Sequence, residues 1–231
     1  MLEPINPKIF ILIPAYNEEA VIGSVILRLK EAGYGNILVV NDGSKDNTAR
    51  IAESAGAEVL NHIMNRGQGS ALETGIKYLR ETHRPDIIIT FDADGQHSVE
   101  DIARLIRPII EENFDIVLGS RFLNKKARIP LLRKAILKAG ILFTSIISRI
   151  ELSDTHNGIR ALGKRAINSI EIYHRGMEHA SDIIDEIARN GLKYKEVPVT
   201  ITYSEYSLKK GQKNLGFIKM GLKILLNKII K

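Results

Sequence analysis

Asp92 and Asp94 stand one residue apart at the end of Ile87-Ile88-Ile89-Thr90-Phe91, and Gly95-Gln96-His97 follows them. The β-branched apolar run reads as a buried strand, and alternation along it puts both carboxylates on one side. Two carboxylates so close repel each other unless a cation lies between them. Hard oxygen donors of this kind suit Mg²⁺ or Mn²⁺, which binds through one or two carboxylates and completes its shell with water and substrate phosphates. The chemistry indicated is metal-assisted work on a phosphorylated ligand. An acidic turn that merely ends a strand is the plain alternative.

The elements that must hold this pair follow from the periodicity. Residues 8–13 form a first apolar strand, stopped by Pro14, and Ala15-Tyr16-Asn17-Glu18-Glu19 leads into a helical pattern with Asn17 as its N-cap. Residues 37–40 are a second strand running into Asn41-Asp42-Gly43-Ser44. Asp46 caps a helix to about residue 54, residues 58–60 make a third strand, and Asn65-Arg66-Gly67-Gln68-Gly69 opens a helix to about residue 82. Beyond the acidic pair come a helix over residues 99–112, a strand over 115–118 and the turn Gly119-Ser120-Arg121.

Alternation of strand and helix with short links means an α/β domain built on a mostly parallel, Rossmann-like sheet. Tyr16 and Glu18, then Asp42, then Asp92 and Asp94 fall at strand ends, which in an open parallel sheet share the edge where ligands bind. Arg121 at another strand end has the fork geometry for phosphate. The Gly67-x-Gly69 turn fits either close backbone packing or contact with phosphate. It lacks the spacing of a P-loop, and the first strand lacks the glycine turn of a nicotinamide dinucleotide fold.

The chain of 231 residues has a formal net charge of +6 and no cysteine, which rules out a disulfide framework and a Cys-ligated zinc site. There is no signal-peptide pattern and no apolar run near the roughly 20 residues of a spanning helix, so the expectation is a cytoplasmic protein. After Glu205 come Lys209, Lys210, Lys213, Lys219, Lys223, Lys228 and Lys231 without an acidic residue. Such a tail seeks an anionic surface. Its lysines alternate with large aliphatics rather than aromatics, which suits lipid better than nucleic acid. Residues 131–150, apolar nearly all round with basic residues near the ends, form a second interface segment; packing on the domain or on a second subunit is the alternative for both. The division expected is a catalytic domain over 1–203 and a basic amphipathic tail over 204–231.

Five motifs in order, Pro14-Ala15-Tyr16-Asn17-Glu18, Asn41-Asp42-Gly43-Ser44, Asp92-Ala93-Asp94-Gly95-Gln96-His97, Gly119-Ser120-Arg121 and Asp154-Thr155-His156-Asn157-Gly158-Ile159-Arg160, resemble those of family 2 glycosyltransferases. The resemblance is nearest to the branch containing dolichol-phosphate mannose synthase and polyprenyl-phosphate glucosyltransferases, and covers about residues 8–203. It implies a GT-A fold and transfer from a nucleotide-sugar with inversion. By position it implies that Pro14, Ala15, Tyr16, Glu18, Asp42, Asp92 and Ala93 bind the nucleotide-sugar. Asp92, Asp94 and Gln96 would hold the metal, Arg121 would steady phosphate, and Asp154 to Arg160 would face the sugar or acceptor. Asn41 departs from the first Asp of many members, and no Q-x-x-R-W of the processive synthases is present.

A phosphate acceptor is already largely dianionic at neutral pH, its second pKa being about 6, whereas a sugar hydroxyl needs a base. The candidates for a base are Asp154, His156, Glu178 and Asp182, none of them unmistakable. The expectation is therefore transfer of a hexose, from a donor of the GDP-mannose or UDP-glucose type, to a polyprenyl or dolichyl phosphate. The enzyme would sit on the cytoplasmic membrane face, with a separate membrane protein as a further partner. Transfer to a sugar hydroxyl is the alternative, and nucleotidyl transfer a remote one.

Overall fold

The computed structural model describes residues 7–124, 150–155, 157–176 and 178–202. In chain order the elements are β1 (Ile9–Ala15), α1 (Ile22–Glu31), β2 (Ile37–Asn41), α2 (Thr48–Ser54), β3 (Glu58–Asn61) and α3 (Gln68–Tyr78). A wider π-turn (Leu79–His83) then leads to β4 (Ile87–Thr90), α4 (Asp101–Glu112), β5 (Ile116–Ser120), β6 (Arg160–Gly163), α5 (Lys164–Ser169), α6 (His179–Arg189) and β7 (Tyr194–Pro198). The seven strands form one sheet in the order β3-β2-β1-β4-β6-β5-β7. All neighbours are parallel except β6, which runs antiparallel to both β4 and β5.

Both faces of the sheet are covered, so its central strands read as continuous apolar runs rather than alternating ones. Ile11 and Ile13 of β1 pack with Val25, Ile26 and Leu29 of α1 and with Ile102 and Leu105 of α4 on one face. Phe10 and Leu12 pack with Leu72 and Ile76 of α3, Ile167 of α5 and Ile183, Ile184 and Ile187 of α6 on the other.

Four local expectations change. Pro14 does not stop β1, which runs to Ala15 with Pro14 paired to Val40. β4 leaves β1 at the pair Leu12–Thr90, so the N–H that proline lacks has no ladder partner to lose. Asn17 does not cap α1: it takes a left-handed φ of 53° and bonds to the next loop, and α1 starts at Ile22. The strand expected over 115–118 extends to Ser120, and β6, which no expected element covers, begins at Arg160, the last residue of the motif expected to face the sugar or acceptor.

The glycine turn serves packing. A Cβ at Gly67 would lie 2.3 Å from the Arg175 carbonyl oxygen and one at Gly69 would lie 2.0 Å from that of His174. The Gly69 N–H donates to the Arg175 carbonyl at 2.8 Å, so the amide end of α3 is engaged by the chain itself. The basic segments 131–150 and 204–231 fall outside the described residues, Ile150 apart. Among the described residues no helix is long and apolar enough to cross a membrane.

Candidate active site

The loops after β1 and β2 are stapled together. The Asn17 N–H donates to Ser44 Oγ at 2.9 Å, and Asn17 Oδ1 accepts from the Lys45 N–H at 2.9 Å. The Glu18 N–H donates to Thr48 Oγ1 at 2.8 Å, which fixes a buried Glu18, while Tyr16 is exposed. Asp42 is buried and accepts from His62 Nδ1 at 2.7 Å, the Arg66 N–H at 2.9 Å and the Gly67 N–H at 2.7 Å. The carboxylate expected to bind the nucleotide-sugar therefore also anchors the loop ahead of α3. Asn41 Nδ2 donates to Asn61 Oδ1 at 2.8 Å, and Asn41 Oδ1 accepts from the Ser44 N–H at 3.2 Å. An amide is suited to both jobs, since a carboxylate would face the Asn61 oxygen with no proton to share; that is the structural setting of the departure at this position.

At the end of β4, Asp92 accepts from His97 Nε2 at 2.9 Å and from Gln68 Nε2 at 3.0 Å. Burial pushes the Asp92 carboxyl up, but the hydrogen bond and charge of His97, with Arg160 and His179 beyond it, outweigh burial and hold it below the usual range. Asp94 goes the other way, raised by burial and then by the Asp92 charge, against the Gln96 N–H that donates to it at 3.0 Å. The mutual repulsion expected of the acidic pair is thus present. Among the described residues no three of His, Cys, Asp and Glu are grouped to hold a metal ion by themselves. Two carboxylates and the Gln96 amide fit a Mg²⁺ or Mn²⁺ that draws its other ligands from water and a diphosphate.

After β5, at the same edge of the sheet, Arg121 donates from its backbone N–H (3.0 Å) and its Nε (2.7 Å) to the same Asp154 oxygen, Oδ2. Arg121 is 7%, Asp154 3% and Arg160 3% exposed. Burial lowers the Arg160 guanidinium to about 10, with Asp92 and Asp154 opposing the fall, so it stays charged at neutral pH. His179 is lowered to about 4, by burial first and then by Arg160, and is a neutral imidazole there. Among the described residues the buried side-chain atoms without a hydrogen-bond partner are His97 Nδ1, Asp154 Oδ1, Asn157 Nδ2 and Arg160 Nη1. A buried group left unpaired costs about 1–3 kcal/mol, and all four atoms belong to the two motifs around the acidic pair and Arg160. Such a cluster points to a ligand that brings both acceptors and a donor.

The structure therefore brings Asp92, Asp94, Gln96, Arg121, Asp154 and Arg160 to one edge of the sheet, beside the loops carrying Pro14, Ala15, Tyr16, Glu18 and Asp42. Ala93 is buried between the two carboxylates. Asp182 drops out as a base: it accepts from the N–H groups of Tyr173 (2.9 Å) and His174 (2.7 Å) and pairs with His174 Nδ1 (2.6 Å). His156 lies outside the described residues. The grip of His97 and Gln68 on Asp92 was missed in the sequence, although both residues sit in quoted motifs. So was Gly158, where a Cβ would lie 2.2 Å from Asp92 Oδ2 and 2.6 Å from Oδ1. Gly158→Ala is expected to turn the Asp92 carboxylate out of place and lower turnover by about 10²-fold, the usual effect of a 1 Å misplacement. Steady-state kinetics beside a thermal melt would check it.

The layout, with carboxylates after β1, β2 and β4 sharing a sheet edge with buried Arg121 after β5 and buried Arg160 at the start of β6, suits an enzyme that handles a phosphorylated ligand. The family model for glycosyl transferase family 2 matches residues 10–167, and the chain belongs to that family. It is 35% identical to a UDP-N-acetylglucosamine–dolichyl-phosphate N-acetylglucosaminyltransferase of Methanococcus voltae, over 96% of this chain and 97% of that protein. It is 32% identical to an undecaprenyl-phosphate mannosyltransferase of Micrococcus luteus, over 86% of this chain and 85% of that protein. Glucosyl-3-phosphoglycerate synthase of Mycobacterium tuberculosis, crystallised with Mn²⁺, UDP and glucosyl-3-phosphoglycerate, superposes with a TM-score of 0.68 at 20% identity, covering 95% of this chain and 78% of that one. That likeness establishes the GT-A fold.

Proposed function

We propose that this glycosyltransferase moves one sugar from a nucleotide-sugar to a polyprenyl or dolichyl phosphate, working at the cytoplasmic face of the membrane. The observation that carries the reading is the buried pair of Arg121 and Arg160, with Arg160 Nη1 and Asn157 Nδ2 unpartnered, at the sheet edge that carries the acidic pair. The named relatives act on dolichyl and undecaprenyl phosphates, and the lysines of the tail suit an anionic leaflet.

In this reading Pro14, Ala15, Tyr16, Glu18, Asp42, Asp92 and Ala93 hold the nucleotide, and Asp92, Asp94 and Gln96 hold a divalent ion. Mg²⁺ or Mn²⁺, when bound, offsets the negative charge that grows on the departing diphosphate. Arg121 adds a fixed positive charge on the phosphate side, and Asp154 keeps its guanidinium from swinging away. A phosphate oxygen of the acceptor forms the new bond to the anomeric carbon from the opposite face. The nucleoside diphosphate leaves with the electron pair of the broken bond, which gives inversion. An acceptor phosphate that is dianionic at neutral pH needs no base.

A second reading, transfer to a sugar hydroxyl, is favoured by Asp154 Oδ1, a buried carboxylate oxygen with no partner and so placed to take a proton. Radiolabelled UDP- and GDP-sugars offered with Mg²⁺ or Mn²⁺ and polyprenyl phosphate separate the two. Label extracted into the organic phase and lost with EDTA is the expected result, with UDP-N-acetylglucosamine the first donor to try. Donor turnover with label only on a water-soluble glycan, and an acidic limb in the pH profile lost in Asp154→Asn, would move the reading to the hydroxyl acceptor.

A further inference from the structure

We infer that Glu196, on the edge strand β7, is a positioning residue for transfer, acting through Ser153 and Asp154 on Arg121. The inference rests on the reading above, in which Arg121 and Asp154 face the reacting groups. Glu196 Oε2 accepts from the Ser153 N–H at 2.8 Å, and Oε1 accepts from Ser153 Oγ at 2.9 Å and the Asp154 N–H at 3.1 Å. The Ser153 hydroxyl thereby spends its one proton on Glu196. In the 2.6 Å contact between Ser153 Oγ and the fully buried Ser120 Oγ, Ser120 must then be the donor. Ser120 Oγ in turn accepts from the Phe122 N–H at 3.2 Å.

The consequence is directional. Ser120, just before Arg121, is tied to Ser153, and Phe122, just after it, is tied to Ser120, while Arg121 itself is tied twice to Asp154. Ser153 and Asp154 both terminate on Glu196, a group that can only accept while it is ionised. The carboxylate thus sets the polarity of the whole chain of hydrogen bonds and the placement of the one guanidinium assigned to phosphate. Burial pushes the Glu196 carboxyl up, the three donors oppose this, and the neighbouring Asp154 charge adds to the rise. The group has no contact of its own with the acidic pair or the nucleotide loops in its hydrogen bonding, so its influence is confined to the Arg121 side.

Glu196→Gln is the discriminating variant. It keeps shape and volume but turns a donating NH₂ toward either the Ser153 N–H or the Ser153 hydroxyl and Asp154 N–H. The expected result is a fall in kcat of about 10²-fold, unchanged affinity for nucleotide-sugar with Mn²⁺ by calorimetry, and faster solvent exchange of the Arg121 Nε–H in ¹⁵N NMR. Ser153→Ala, which removes one of the three bonds, is expected to move kcat and the Arg121 signal in the same direction by less, and carries the test where the Gln variant does not fold. Wild-type kcat with an unchanged Arg121 signal, or a fall in kcat accompanied by an equal loss of donor affinity and melting temperature, would overturn the inference. A wild-type enzyme that transfers no sugar to polyprenyl phosphate would sink the functional reading instead, while the Arg121 signal would still decide whether Glu196 holds that side chain.

Discussion

Asp94→Ala is expected to lower turnover by about 10³-fold, the scale on which loss of a principal electrostatic contributor is felt, and to do so without unfolding the protein. The two halves of that expectation have separate causes. Asp94 takes its hydrogen bonds from Gln96 in its own turn, not from a distant element. Its carboxyl is raised by burial and by the Asp92 charge, so in the metal-free protein it sits in an unfavourable field. Removing it relieves that repulsion, and the melting temperature without metal should be no lower than that of the wild type. Stabilisation by added Mn²⁺, which follows from binding to the folded state alone, should vanish together with activity. A variant that kept metal-dependent turnover would refute the assignment of Asp94. Asp92 would not serve as well for this experiment: His97 and Gln68 both bond to it, and Gly158 is shaped around it, so its loss disturbs the fold and the site together.

The sequence gives up the frame of this site more readily than its details, for physical reasons. β1, β2, β4 and β5 are runs of Ile, Val and Leu whose burial on both faces leaves no other reading, and their polar ends had to share an edge. β6 was hidden because Arg160–Gly163 is four residues beginning with a charge and ending in glycine. It is a strand because β4 and β5 leave a gap of one strand between them and supply both ladders, a tertiary fact without a local signal. The left-handed Asn17 and the unbroken strand at Pro14 likewise depend on where neighbouring chains begin and stop. Asp182 looked available as a base because its partners are mainly backbone N–H groups of residues 173 and 174, which no side-chain pattern announces. Glu196 lies in a short edge strand whose side chains carry no motif. Its three donors come from residues 153 and 154, more than 40 positions away in the chain.

Asp154 separates stability from catalysis. Asp154→Ala leaves Arg121 without the acceptor of two hydrogen bonds and Arg160 without one of its two neighbouring carboxylates, all in a region nearly closed to water. Breaking one side of a buried pair costs about 3–5 kcal/mol, and chemical denaturation should show a loss of that order. Asp154→Asn keeps an oxygen for Arg121 and removes the charge. It should lose about 1–2 kcal/mol less than the Ala variant, because the Arg121 donors stay paired. Its kcat should nevertheless fall by about 10²-fold or more, since a neutral amide neither anchors the guanidinium as firmly nor balances two buried arginines. The pH profile of the Asn variant then assigns the role. If the acceptor is a phosphate dianion, the residual rate keeps the shape of the wild-type profile, because Asp154 only orients charge. If the unpartnered Oδ1 takes a proton from a hydroxyl, the acidic limb of kcat/KM disappears with the carboxylate. Under the phosphate reading the same variant should lose less in nucleotide-sugar affinity than in kcat, since only the Arg121 contact is loosened while the groups at the ends of β1, β2 and β4 keep their places.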